Sequence, residues 1–441
     1  MLTRERVATI YKLAYPTLIA LTSTLMMSLV DLAMVQPLGI RTTAAVGLSV
    51  FSNALIQAFF VGIAPAVQGL VARRRGQGST EARCLPLNGG LLAALVVGVP
   101  LTILCLFLTP YYFSWVSSDP EVTRIGVPFL RTLYVALVAY GLNSAFRGHW
   151  TGMEKPRVHM WIALILNSLN LLGNYVLIYG KFGAPALGAT GAALSTTLAI
   201  HVGLVLNFVM TYKRYWKDGF LRVMPDRTVL KRIFQLGMPA TMQEFFFSLG
   251  YLVFFWIIGQ VGTAELAASN VLVRITMVVV LLAIALGVAS ATLVSRTLGE
   301  GDAEGAAQWG WDAGKLGFIG LTVLGLPFLF FPEQILSLFL SDPRAIEIAI
   351  IPLRMTAATI GGGSLLYIFA YTLVSVGDGN RVMLISFSTQ WLVFLPAAWF
   401  VSVYLHYGLL EIWLVQIVYG TIAASLIIAV WRQGRWKRLK I

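Results

Sequence analysis

The chain has 441 residues, of which 58% are hydrophobic and only 12% charged, with a mean hydropathy of +0.80 and a formal net charge of +13. A soluble domain carries about 25% charged residues, so the composition excludes an ordinary soluble enzyme and points to an all-α polytopic membrane protein.

Twelve apolar segments are long enough to span a bilayer as helices. They lie near 8–36, 44–72, 87–110, 122–146, 158–180, 188–212, 233–259, 263–295, 310–331, 346–374, 382–404 and 408–431. Span 1 contains Pro16 and, in the run SLVDLAMV, a single carboxylate, Asp31. A charge there is expensive in hydrocarbon and marks a functional position. Span 1 is too long for a cleavable signal peptide and lacks a small-residue cleavage site, so it is expected to act as an uncleaved anchor. Span 2 carries Asn53 and Gln57. Span 5 carries Asn167, Asn170 and Asn174, and span 6 carries Ser195, Thr196 and His201. Span 7 carries Glu244 and span 8 carries Arg274.

With both termini on the cytoplasmic side, the cytoplasmic segments hold 23 of the 32 Lys and Arg residues. The external loops hold four, Arg41, Arg124, Lys181 and Arg344. That asymmetry follows the positive-inside rule, so the basic charge is topological and does not call for a nucleic-acid partner. Residues 431–441, WRQGRWKRLKI, read as a stop-and-orient signal beside anionic lipid heads. Cys84 and Cys105 form neither a disulfide framework nor a metal set. No phosphate-binding loop or nucleotide fingerprint occurs, so no cofactor is expected.

The two halves repeat at one offset of 223 residues. VARRRGQGSTE (71–81) resembles VSRTLGEGDAE (294–304), so that Arg73, Gly76, Gly78 and Glu81 fall on Arg296, Gly299, Gly301 and Glu304. At the same offset Pro16 falls on Pro239, Gly39 on Gly262, Ser118-Asp119-Pro120 on Ser341-Asp342-Pro343, and Leu130-Arg131 on Leu353-Arg354. Six spans per repeat give both halves one orientation, the parallel-repeat arrangement of transporters whose two lobes rock around a central site. The expected division is a first lobe over 1–212, a cytoplasmic linker over 213–232 and a second lobe over 233–441. Arg131 and Arg354, being repeated, are expected to serve the shared scaffold.

From Asn167 to Thr196 the chain reads Asn-x-x-Asn, Asn174, then a Gly- and Pro-punctuated stretch ending GATGAALST. Together with Pro16, Asp31, the Arg73-Gly76-Gly78 loop and the Leu-Arg pairs, this resembles the multidrug and toxic compound extrusion (MATE) family over essentially the whole chain. The LVD of span 1 is most similar to the bacterial branch of DNA-damage-inducible F proteins. The resemblance implies a twelve-helix, two-lobed antiporter of the bacterial inner membrane that exports amphipathic, often cationic compounds against protons or sodium ions. A monomer is expected. Related members often carry a second carboxylate where this chain has Asn174.

Counting depth at ~1.5 Å per helical residue places Asp31, Asn53, Gln57, Asn170, Asn174, Ser195 and Thr196 in the outer half of the first lobe. Asn167, Asn170 and Asn174 share one helix face. Desolvation favours the neutral form of a carboxylate, and amide or hydroxyl neighbours can bond either form. The expectation is that protonation of Asp31 rearranges span 1, with Pro16 permitting a bend, and releases the substrate. A sodium ion on Asp31, Asn170, Asn174 and Thr196 is the alternative coupling chemistry. Met27 is a candidate for the substrate surface, and Glu244 is expected either to pair with Arg274 or to handle substrate or ions. Asp31 falls on Phe254 in the second repeat, so the ion site belongs to one lobe. A lipid-linked precursor flippase is the alternative function, disfavoured by the scarcity of midplane basic residues. A membrane enzyme lacks a catalytic constellation.

Overall fold

A computed structural model describes residues 3–78 and 83–439. Glu81, one member of the repeated loop, lies outside the described residues, as do Lys440 and Ile441 of the basic tail. Among the described residues all regular structure is helical. An apolar chain in lipid must satisfy each backbone N–H and C=O within its own segment, and helices do this without a partner strand.

The first half comprises α1 (Arg4–Val35), α2 (Ile40–Val61), α3 (Ile63–Gly76), α4 (Leu85–Val116), α5 (Pro120–Val135), α6 (Leu137–Gly152), α7 (Pro156–Tyr179) and α8 (Gly188–Tyr215). The second comprises α9 (Arg227–Val261), α10 (Thr263–Gly299), α11 (Ala303–Phe330), the short α12 (Pro332–Leu336), α13 (Pro343–Ser375), α14 (Gly379–Phe387), α15 (Leu395–Trp399) and α16 (Leu409–Gln433). Among the described residues eleven helical stretches are long and apolar enough to cross a membrane. The pair α5 and α6, bent by 40°, makes a twelfth as one broken span. Expected span 4, drawn as a single helix over 122–146, is this pair. Expected span 11 is also irregular, because π-helical turns over Ser388–Phe394 and Phe400–Tyr404 interrupt it.

The repeated motifs acquire physical meaning here. In each Ser-Asp-Pro the aspartate caps a helix and the proline occupies its first turn, where a missing N–H costs nothing. Asp119 accepts from Glu121 N at 2.9 Å, and Asp342 from Arg344 N at 3.0 Å. Gly78 and Gly301 sit at φ 70° and 87°, left-handed turns that a side chain would strain.

Contacts divide the chain into two compact units, residues 19–241 and residues 1–18 with 242–441. The cuts fall inside α1 and α9, whereas the repeat led us to expect boundaries at 212 and 233. The reason is packing by the N-terminal halves of these two helices. Ile10, Leu13 and Ala14 of α1 are buried in a cluster with Ala283, Ala285, Leu286 and Ala289 of α10. In the other unit Gly237 of α9 meets Gly62 so closely that a Cβ on Gly62 would lie 2.0 Å from the Gly237 carbonyl oxygen. Ala14 and Ala285 occupy the equivalent repeat positions, so small residues allow close approach in both units.

In the unit formed by 19–241, Phe60, Phe113, Phe146, Trp150 and Phe220 are fully buried in one core. The expected linker is part of this unit. Asn88 at the start of α4 donates to the carbonyls of Gly219 and Val223, both at 2.9 Å, and accepts from Leu221 N at 3.1 Å. In the other unit Phe254 is packed against Phe394 and Trp413. The basic tail folds back, with Trp436 fully buried and stacked on Trp431 at 4.1 Å.

Candidate functional site

Two glycines bring α7 and α8 together. A Cβ on Gly191 of α8 would lie 2.4 Å from the carbonyl oxygen of Leu177, and a Cβ on Gly173 of α7 would lie 2.3 Å from Ser195 Oγ. Only hydrogens fit in these places, so Asn170, one turn before Gly173, comes to rest beside Ser195 and Thr196. Ser195 Oγ donates to the Asn170 backbone carbonyl at 2.8 Å, and Thr196 Oγ1 donates to Ala192 O at 3.1 Å.

α7 reaches the C-terminal half of α1 at three levels. Asn167 Nδ2 donates to Ser23 Oγ at 2.6 Å, Asn174 Nδ2 to Asp31 Oδ1 at 2.5 Å, and Tyr179 Oη to Met34 O at 2.8 Å. Asn170 and Asn174 are buried, at 5% and 0% exposure, while Asp31 is half-buried. The helices run in register, Asn167 and Asn174 seven residues apart against Ser23 and Asp31 eight apart.

The surroundings of the Asn170 amide accommodate either of two orientations, with different consequences. In one, Nδ2 donates to Ser195 Oγ at 3.3 Å and Thr196 Oγ1 at 3.1 Å. In the other, Nδ2 donates to Asp31 Oδ1 at 3.1 Å, and Oδ1 accepts from the Thr196 backbone N–H at 3.1 Å. An ionised carboxylate accepts only, so it requires the second orientation; a carboxyl group can donate its O–H to the first.

Asp31, Asn170, Asn174, Ser195 and Thr196 thus form one network, with Asn167 bonded two turns below. Among the described residues Asn53 and Gln57 of α2 make no hydrogen bond to it, and the Asn53 side-chain oxygen is buried without a partner. Met27 is buried on α1. Arg131 donates to the Leu106 carbonyl at 3.1 Å, joining α5 to α4. His201 Nδ1 bonds the Thr197 carbonyl at 2.8 Å.

The expected Glu244–Arg274 pair does not form among the described residues. Glu244 lies partly buried on α9 in the other unit, and Arg274 on α10 is exposed. Phe254, the repeat equivalent of Asp31, is 1% exposed within an aromatic core. Ser23 and Tyr179 escaped the sequence reading. The available signal was the two-turn spacing of Ser23 from Asp31, which parallels that of Asn167 from Asn174.

This geometry, an aspartate in the first span held by asparagines of the fifth span, belongs to a chain whose residues 16–176 and 239–400 match the MatE family. The two matched stretches coincide with the two repeats and cover most of the chain. The chain belongs to the MatE family. It is therefore a membrane transporter and not an enzyme. Among its relatives, the probable multidrug resistance protein NorM of Thermotoga maritima is 26% identical over 440 residues, covering 97% of this chain and 92% of the relative. The multidrug resistance protein NorM of Vibrio cholerae is 27% identical over 402 residues, covering 90% and 87%. The fold is shared with the bent form of the Vibrio cholerae MATE transporter VcmN, with a TM-score of 0.89 at 17% identity over 98% of this chain and 97% of that one. A MATE structure in the straight conformation aligns with a TM-score of 0.88 at 20% identity, over 96% and 95%.

Proposed function

We propose that this MATE transporter exports amphipathic, cationic small molecules in exchange for protons, and that Asp31 takes the coupling proton. Relatives that align along most of the chain bear multidrug resistance names, which supports efflux of small molecules. The Lys and Arg asymmetry supports an inner-membrane protein with both termini in the cytoplasm.

The observation that carries the proposal is the Asp31–Asn174–Asn170 network. When Asp31 is ionised, it accepts N–H groups from both asparagines. When it is protonated, its O–H donates to Asn170 Oδ1, and the turned amide passes its own N–H groups to Ser195 and Thr196. Each protonation state therefore selects a different set of bonds between α1, α7 and α8. A ligand shifts an equilibrium only by its differential affinity for the two states. Here the proton supplies that difference by loosening the hold of α7 on the outer half of α1. That segment then rearranges at Pro16, and the substrate leaves by alternating access. A sodium ion would need several oxygen ligands at once. The group supplies only one carboxylate, so the donor set favours the proton.

The test is uptake of a lipophilic dye cation into inverted membrane vesicles. Under a proton gradient, wild-type vesicles load the dye and Asp31→Asn vesicles do not, although the variant still binds the dye. Full proton-driven transport by Asp31→Asn would remove Asp31 from the mechanism. Loading driven by a sodium gradient alone would replace the proton with sodium.

A further inference from the structure

The helix that carries Asp31 changes unit two residues beyond Pro16, at Leu18. Its N-terminal half is held by a polar device that the repeat does not share. Arg6 Nη1 lies 3.1 Å from Asp312 Oδ2 of α11 and donates to Gln308 Oε1 at 2.9 Å. The guanidinium lies flat enough on Trp309 to bring its carbon 4.2 Å from the ring centre. Lys315 Nζ stands 3.9 Å from the other oxygen of Asp312, whose side chain is 6% exposed against 20% for Arg6.

In the other unit, Val229 and Gly89 occupy the equivalent positions of Arg6 and Asp312. They also meet, since a Cβ on Gly89 would lie 3.1 Å from Val229 Cγ1 and 2.5 Å from Ile233 Cδ1. The scaffold therefore needs only apolar contact at this place. The chain has installed a largely buried ion pair at the base of the helix that carries Asp31. A buried pair is seldom the most stabilising choice, and its best use is to fix a unique arrangement. The planar guanidinium stands against a carboxylate, donates to an amide and covers an aromatic face together, which a lysine cannot do.

We propose that Arg6 and Asp312 form a latch that keeps the N-terminal half of α1 fixed on α11 throughout the transport cycle. Rearrangement on protonation is thereby confined to the segment beyond Pro16. Without the latch, the energy of the Asp31 switch would be dissipated in sliding or rotation of the whole helix. Arg6 is a positioning residue, and the inference rests on the exporter reading above.

The experiment uses the full-length chain with Cys84 and Cys105, its two buried free thiols, replaced by alanine. Arg6→Cys combined with Gln308→Cys breaks the latch, and a short bifunctional maleimide restores it covalently. Unlinked, the variant is expected to exchange backbone amides faster over residues 4–18 but not over 19–35. Its maximal dye transport should fall about tenfold with little change in KM, the pattern of a lost conformational step. Linking should restore both. Asp312→Asn, which leaves Arg6 on Trp309 and Gln308, should move both readouts in the same direction and serves if the double variant folds poorly. Unchanged exchange over 4–18, or transport that linking blocks, would overturn the latch. If wild-type vesicles carry no dye, the exporter reading fails, and the exchange rates still judge the latch.

Discussion

Substituting Gly191 with alanine tests whether the contact between α7 and α8 sets the ion site. The added Cβ would lie 2.4 Å from Leu177 O and 2.6 Å from Leu177 C, against a comfortable separation of about 3.5 Å. Because the obstacle is backbone, no rotamer relieves it, and α8 must withdraw by about 1 Å. The Asn170 contacts with Ser195 and Thr196, at 3.3 and 3.1 Å, would then pass out of hydrogen-bond range. Overpacking costs about 1–3 kcal/mol, and two lost hydrogen bonds cost about 0.5–1.5 kcal/mol each. The sum is ~2–6 kcal/mol, a fall in apparent melting temperature of at least about 2 °C in detergent for a chain of this length. Proton-driven dye loading should fall with it, because Asn170 loses the partners that receive its turned amide. Gly420→Ala in α16 is the control, since nothing lies within 4 Å of its Cβ position. There alanine should be neutral or raise stability by up to ~1 kcal/mol through helix propensity. If Gly191→Ala melts within a degree of the wild type, or both variants shift alike, the close approach does not set the site.

Two further outcomes follow from single groups. Tyr179→Phe removes the bond to Met34 O at 2.8 Å; it should cost about 1 kcal/mol and speed amide exchange near residue 34, and unchanged exchange there would remove Tyr179 as an anchor of α1. Burial, reinforced by the Asp218 carboxylate, pushes the Cys84 thiol up from 9.0 to about 12. The folded chain therefore holds this proton more tightly than the unfolded chain, a stabilisation fully present below pH 9 and lost as the pH rises through about 12. Cys84→Ala should flatten that part of the alkaline stability profile, and maleimide should leave Cys84 unlabelled at neutral pH until the chain unfolds. Rapid labelling of native protein would contradict the burial.

The sequence by itself determined what depends on local chemistry. Runs of apolar residues placed the spans, because a bilayer has one thickness and helices one rise per residue. The 223-residue offset exposed the repeat, since Asp caps and left-handed glycines are local needs that each copy retains. Asp31 stood out because charge in hydrocarbon is costly whatever surrounds it. Its grouping with Asn170, Asn174, Ser195 and Thr196 was legible from depth and helical phase, which fix the level and face of a side chain.

The tertiary structure alone decided what depends on which helix lies beside which. It separated Asn53 and Gln57, at similar depth, from the hydrogen bonds of Asp31, because depth says nothing about lateral distance. It left Glu244 without Arg274, because two residues at one level can face different ways. It moved the unit boundaries from loops into α1 and α9, where small residues permit approach to the opposite repeat. And it joined Arg6 to Asp312 across 306 positions of chain, a pairing invisible in sequence because neither residue's neighbours record the other.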